Sequence, residues 1–424
     1  MQFAFSQENV LSLLKAIILK EKYPEAKFTF FKKSDSNFPI ENWHNFSLRP
    51  GDDFFRFLPA NFISLLKTYL PELEVREISL KKIPPLSLKD GYLVKYPAVV
   101  SQIYRSSLLF FTEKLKLFFA MRKKYSLWGD IPLFEAAKNL LGEGFAEYIV
   151  SPLSRYRFLC EAEDIELATA FPEFYKTLQE GKKPAHYYES IRSQELKLLK
   201  LNLSFKEMEL MLSEKLQGSL VRQNFSINRY RGRGSLIAGS REFGPYERVF
   251  VFLRISSLRR LLEKDFSSLL ENIGIEKFRE TQLSSVYFLY PEGTFPTQRG
   301  GIILPRKEKY SFYFAEFLSE LFPEQYGGSK QLIRVVIPGK TDVLGEKSLQ
   351  TFAQEGLKRI FKLKAEPLQT TVFPQLLQFD LPSSGYSRAK EELYNWAKTD
   401  RHISFLPDLS PYLSERDIDL VAEN

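Results

Sequence analysis

The first 35 residues trace a strand, a helix and a second strand, the outline of a dinucleotide-binding unit, yet they lack the residue types that let such a unit hold a dinucleotide. MQFAF (Met1–Phe5) is a short apolar strand, Asn9–Ala26 carries apolar residues at helical spacing, and KFTFFKKSD (Lys27–Asp35) is a strand that ends in a polar turn. In a working unit, glycines after the first strand give the tight bend, the close backbone approach to the pyrophosphate and the close packing of helix on strand. Here the three glycine slots hold Gln7, Asn9 and Ser12. The acidic residue that would accept ribose hydroxyls is replaced by Lys32, which has donors and no acceptor. The helix N-terminus still offers N–H groups to an anion, but the side chains of Gln7 and Asn9 crowd the approach.

The chain has 424 residues, 44% of them hydrophobic, enough for two or three cores of a globular α/β protein. Its 38 phenylalanines suit either packing around a large flat ligand or Phe-rich cores. A single cysteine, Cys160, excludes an internal disulfide framework, and His44, His186 and His402 are too scattered for metal-ligand spacing, so neither a metal site nor Cys–His catalysis is expected. No basic segment precedes the first apolar stretch, Lys15 interrupts that stretch, and no run of about twenty apolar residues follows. These features lead us to expect a cytoplasmic protein, soluble or peripheral to a membrane. A net charge of +8 favours acidic partners in general. RYRGRGS (Arg229–Ser235) is basic, but acidic residues are interspersed throughout and no nucleic-acid module is present, so no nucleic acid is expected.

Further along, residues 87–203 read as mostly helical. Within them, Ser106–Trp128 has apolar clusters broken by Lys114, Lys116, Arg122, Lys123 and Lys124. This pattern fits an interfacial amphipathic helix and equally a core-facing helix with a basic edge. A second α/β stretch follows, with a helix (KEMELMLSEKLQ), a strand (SLVRQNFSINRYR) and the strand ERVFVFLR. Strands and helices then alternate from Phe278 to Pro374, and a helix (SRAKEELYNWAKT) leads to a short tail.

These segments, taken in order, resemble the oxygen-dependent protoporphyrinogen oxidases of the flavin-dependent amine-oxidase-like superfamily. FSLRPGDDFF (Phe46–Phe55) is similar to the family's F-E-L-G-P turn, with Arg49 where glycine is usual. PLSRYRFLCEAEDIELATAFPEFY (Pro152–Tyr175) resembles its most distinctive block: Pro152, Leu153, Leu167, Ala170, Phe171 and Pro172 match, while Tyr156, Cys160 and Glu161 replace two glycines and an aspartate. GGIILPRKE (Gly300–Glu308) is close to the family's G-F-G-F-L-V-P-R-R-E, and Leu321–Pro323 follows at the expected distance. The resemblance implies an α/β, FAD/NAD(P)-binding (Rossmann-like) flavoprotein fold with a substrate-type α+β domain and an inserted helical domain. The implied boundaries are a degenerate FAD-binding-like domain from 1–85, 203–264 and 375–424, a helical domain from 86–202, and a substrate-type domain from 265–374.

The departures fall where the family touches flavin. Ser34–Trp43 replaces the paired glycines and arginine after the second strand, and Glu207 and Met208 replace both glycines of S-F-K-G-G. Arg254-Ile255 stands for A-x-P, and Ser404–Asp419 aligns without one glycine with the segment that opens the last flavin-contacting helix. Porphyrinogen oxidation needs an electron sink that no side chain here supplies. Three readings follow: a degenerate, non-catalytic homologue linked to haem biosynthesis with no bound cofactor; a divergent active oxidase that holds FAD by unfamiliar contacts; or a basic membrane-surface or protein-interaction module. The expected partners are a porphyrin and an anionic membrane surface. A porphyrin would lie between the second α/β stretch and Phe278–Pro374, and Arg49 and Arg306 are the candidate cations for its propionates.

Overall fold

The computed structural model describes residues 1–31, 41–43, 46–125, 129–191, 195–262, 267–274, 277–339 and 345–423. Lys32 and His44 lie outside them.

Alternation of apolar residues along Gln2–Phe5 and Lys27–Phe30 builds the first parallel pair, in the register Phe3 to Phe28, Ala4 to Thr29 and Phe5 to Phe30. Helix Val10–Lys22 crosses between them. Three more parallel strands complete a five-stranded sheet in the order Ile403–Pro407, Arg248–Leu253, Gln2–Phe5, Lys27–Phe30, Leu220–Arg222. Here the phenylalanine surplus finds its use. Phe5 stacks between its lateral neighbours Phe30 and Phe250, at 4.8 Å from each ring centre. Each such pair adds roughly 0.5–1.5 kcal/mol beyond burial. These rings pack on one another rather than around a ligand.

Lys15, the residue that breaks the apolar pattern of the first helix, is buried. Its ammonium donates to the Val421 and Glu423 carbonyls at the C-terminus of helix Glu415–Ala422, where a cation meets free carbonyls and the negative end of the helix dipole. Burial pushes its pKa down to about 8, with Arg248 contributing.

A seven-stranded mixed sheet forms the second layer, with Glu280–Pro291 and Lys330–Pro338 as long antiparallel neighbours. Strand periodicity gives it two faces. Val286, Phe288, Tyr290, Ile333, Val335 and Ile337 pack under helix Glu346–Phe361, whereas Leu283, Tyr287, Leu289, Leu332 and Val336 face the core shared with the parallel sheet. The middle of the chain holds short helices, among them Leu133–Leu141, Ser151–Arg157 and Pro172–Gln179.

Several segments differ from the sequence expectation. Leu86–Lys89 and Tyr92–Lys95 form a hairpin at the edge of the seven-stranded sheet rather than the start of the helical insertion, and Gln369–Asp380 belongs to that same sheet. The run Ser219–Arg231 is split. Leu220–Arg222 joins the parallel sheet, while Ile227–Gly232 opens a separate three-stranded antiparallel sheet. The tail is structured, with Ile403–Pro407 as an edge strand and Glu415–Ala422 as a helix.

Candidate functional site

In open parallel sheets, ligands sit in the crevice beyond the carboxyl ends of the strands, and anions are drawn to the helix N-termini there. In this chain, that edge is closed by its own side chains. Asn9 is the N-cap of helix Val10–Lys22, and its Oδ1 accepts the Ser12 N–H at 3.0 Å. In return the Ser12 hydroxyl accepts the Asn9 N–H at 2.8 Å. Two residues in glycine slots thus satisfy, as a reciprocal cap, the donors that would otherwise meet a phosphate. Gln7 is half-buried beside them.

Glu8, between these slots, is only 7% exposed by side chain and makes a two-pronged ion pair with Arg222, at 2.6 and 2.8 Å. A carboxylate therefore lies in the loop where a pyrophosphate would need the opposite charge. Further along the edge, Ser6 Oγ accepts the Phe252 N–H at 3.0 Å, and Arg254 pairs with Asp408 at 3.1 Å. Two more helix starts are occupied in the same way. Asp380 accepts from the Ser256 N–H and hydroxyl at the beginning of helix Ile255–Leu261, and Ser414 and Asp417 cap helix Glu415–Ala422 reciprocally. Burial pushes Asp380 up to about 6, partly offset by its bonds to Ser256. The residues present do not fit a dinucleotide held in the manner of this sheet type.

The second half of the site lies on the core-facing side of the seven-stranded sheet. Tyr287, Arg334 and Glu316 are lateral neighbours on three adjacent strands, so their side chains share one face. Opposite them, the turn Asp52–Phe54 and the residues after it supply Asp53 and Arg56. Arg56 meets Glu316 at 2.6 Å and Asp53 at 2.9 Å, and Arg334 approaches the same two carboxylates at 3.4 and 3.5 Å. The Tyr287 hydroxyl donates to Asp53 at 3.1 Å and the Tyr156 hydroxyl to Glu316 at 3.3 Å. All four charged side chains are buried. Burial alone would raise the Asp53 pKa, but Arg56, Lys200 and Arg334 hold it well below the usual carboxylate range. Arg56 lies over the Phe322 ring and Arg334 over Phe54, each at 4.8 Å. A closed square of two arginines and two carboxylates occupies the interface between the layers.

Beside this square, Arg49, Asp52, Lys200, Leu203 and Phe205 line a small cleft of about 20 Å³, room for about one water molecule. Burial, followed by the neighbouring Asp53 charge, raises Asp52 to about 7, against the Phe205 N–H bond and the cations Arg49 and Lys200. Arg49, which stands where the family has glycine, donates to the Asn202 carbonyl at 2.8 Å and pairs with Glu207 at 3.4 Å. Arg306 lies elsewhere, in the turn Arg306–Glu308, where its guanidinium is held by Glu163 and its N–H donates to Ser151 Oγ at 3.1 Å. The two candidate cations do not share a site. Among the described residues, no group of three or more His, Cys, Asp or Glu side chains is arranged to hold a metal.

No protein-family model matches the sequence, and no curated protein matches it either. Solved structures do match. A provisionally assigned protoporphyrinogen oxidase from Exiguobacterium sp. superimposes with a TM-score of 0.76 at 15% identity, over 99% of this chain and 96% of that one. Reduced UDP-galactopyranose mutase gives 0.64 at 12% identity, over 95% and 87%. A putrescine oxidase variant gives 0.66 at 10% identity, over 100% of both chains. At such identities the likeness is one of fold, and the chain has the mixed α/β fold of the FAD-binding oxidoreductases.

Proposed function

We propose that this chain is a non-catalytic relative of the flavin oxidoreductases whose fold it shares, and that it works by binding rather than by oxidation. The observation that carries this reading is the Glu8–Arg222 pair beside the Asn9–Ser12 cap, because together they fill the anion-binding end of the crevice with a carboxylate and a satisfied helix start. The motif resemblance directs the reading towards tetrapyrroles and haem biosynthesis. A porphyrin offers a broad apolar face and two propionates, and of the two candidate cations Arg49 borders a cleft while Arg306 is held by Glu163.

The test combines a protoporphyrin titration, followed by Soret shift, with an aerobic protoporphyrinogen oxidation assay in the presence of added FAD. The reading expects saturable binding, weakened in Arg49→Ala or Arg306→Ala, and no oxidation above the protein-free rate. Oxidation that depends on protein and FAD would overturn it. One observation favours a second reading, a divergent active oxidase: Asp52, poised near pH 7 beside Lys200 in a cleft, has the protonation behaviour of a proton-transfer group. The same assay separates the two.

A further inference from the structure

The small cleft beside the buried square is walled by polar atoms that its own residues do not satisfy. The turn after strand Phe46–Leu48 supplies Arg49, Asp52, Asp53 and Arg56, and strand Lys197–Leu201 supplies Lys200. The Lys200 ammonium stands over the rings of Phe322 at 4.8 Å and Tyr326 at 5.5 Å, with no hydrogen-bond or ion-pair partner among the described residues. Burial pushes it below the usual lysine range. Arg49 Nε and Asp52 Oδ2 are buried and also unpartnered among the described residues, although the other nitrogens of Arg49 reach Asn202 and Glu207, and Asp52 Oδ1 accepts the Phe205 N–H at 3.4 Å. Polar atoms in a buried wall are costly unless something between them supplies the missing partner.

Charge decides what that partner is. Arg49, Arg56, Lys200 and Arg334 bring four positive charges to the cleft and the square behind it, and Asp53, Glu316 and Glu207 bring three negative ones. Asp52 is the remaining charged group. When it is ionised the set is neutral; when it carries a proton one positive charge is left over, and Lys200 is the cation without a partner. Burial pushes the nearby Tyr156, Tyr287 and Tyr326 hydroxyls up, so none of them supplies a negative charge. A water molecule in the cleft leaves the surplus charge in place. A monatomic anion removes it, and a space of about 20 Å³ has no room for a carboxylate or a phosphate.

We propose that the cleft between Lys200, Arg49 and Asp52 is a binding site for one halide ion, taken up together with one proton on Asp52. Lys200 supplies the charge, Arg49 Nε a hydrogen bond, and protonated Asp52 a second donor. Proton and anion are linked: each raises the affinity for the other by the same factor, because ionised Asp52 repels the halide. The inference stands apart from the tetrapyrrole reading, in which a propionate meets Arg49 from outside this space. The test is the chloride NMR line width of sodium chloride solutions of the full chain, at pH 5.5 and pH 8 and constant ionic strength, with bromide or sulfate as competitor. Wild type is expected to broaden the line at pH 5.5, to bind about tenfold more weakly at pH 8 as Asp52 loses its proton, and to release chloride to bromide but not to sulfate. Lys200→Met should lose the broadening, whereas Lys206→Met, at an exposed lysine of the neighbouring helix Phe205–Lys215, should keep it. Asp52→Asn should bind equally at both pH values. Broadening no greater in wild type than in Lys200→Met, displacement by sulfate as readily as by bromide, or an unchanged pH dependence in Asp52→Asn would each overturn the proposal. If Lys200→Met does not fold, the competition and Asp52→Asn arms decide.

Discussion

The Glu8 carboxylate and the Arg222 guanidinium, two strands apart, meet in two hydrogen bonds of 2.6 and 2.8 Å across the carboxyl edge of the parallel sheet, with strand Lys27–Phe30 between them. That edge is where a sheet of this type offers its ligand site. Here it is tied to itself.

The Glu8–Arg222 pair is half-exposed on the arginine side, so its contribution to stability is modest. Glu8→Ala is expected to cost about 1 kcal/mol in urea unfolding, after discounting for solvent screening. Asn9→Ala, which removes the cap, should cost about as much. Neither substitution alone should create flavin binding, because each leaves the other obstruction in place. Flavin uptake by either single variant would show that the crevice is gated by one residue.

In the buried square, every charge depends on its neighbours. Replacement of one member leaves an uncompensated charge between two packed layers, so Arg56→Ala or Glu316→Ala should destabilise the chain by roughly 3–5 kcal/mol. Arg56→Met/Glu316→Leu removes both charges of one pair and should be milder than the sum of the two single changes. Chemical denaturation of the three variants checks this. Additive losses would mean that the two residues act independently.

Asp52 gives a pH signature. Its carboxyl is raised from 3.8 to about 7 in the folded chain. The folded state therefore holds a proton that the unfolded state has already lost between these values. The associated stability is fully present below about pH 4 and is lost as pH rises through 7. Asp52→Asn keeps an oxygen that can accept from Phe205 and removes the titration. The variant should match wild type near pH 4 and exceed it at pH 8 by up to about 4 kcal/mol. A stability difference that does not change between these two pH values would place the Asp52 titration elsewhere.

Much of this architecture is legible in the sequence, because local pattern decides it. Apolar alternation in Phe3–Phe5 and Phe28–Phe30, with a helix-spaced run between, leaves one topology, and the structure pairs these strands in parallel. The hairpin Leu86–Lys95 was missed because each strand has four residues and takes its place only from pairing with Gly301–Ile303 far along the chain. Loss of the glycines could be read directly, but what replaced their function could not. Glu8 and Arg222 lie more than two hundred residues apart, and neither is unusual where it stands. The square had one visible signal: Glu316 and Arg334 are charges flanked on both sides by apolar residues within strands, which requires a buried partner. Their partners, Asp53 and Arg56, sit in a turn that sequence reasoning had marked only for Arg49.

The account rests most heavily on the closed crevice, and the most direct measurement is the flavin content of the chain. The full protein, expressed in cells supplied with riboflavin and then incubated with excess FAD, is desalted and denatured, and the supernatant is assayed for flavin. The account predicts a trace far below stoichiometry, with no FAD-dependent rise in thermal midpoint. One FAD released per chain would contradict it.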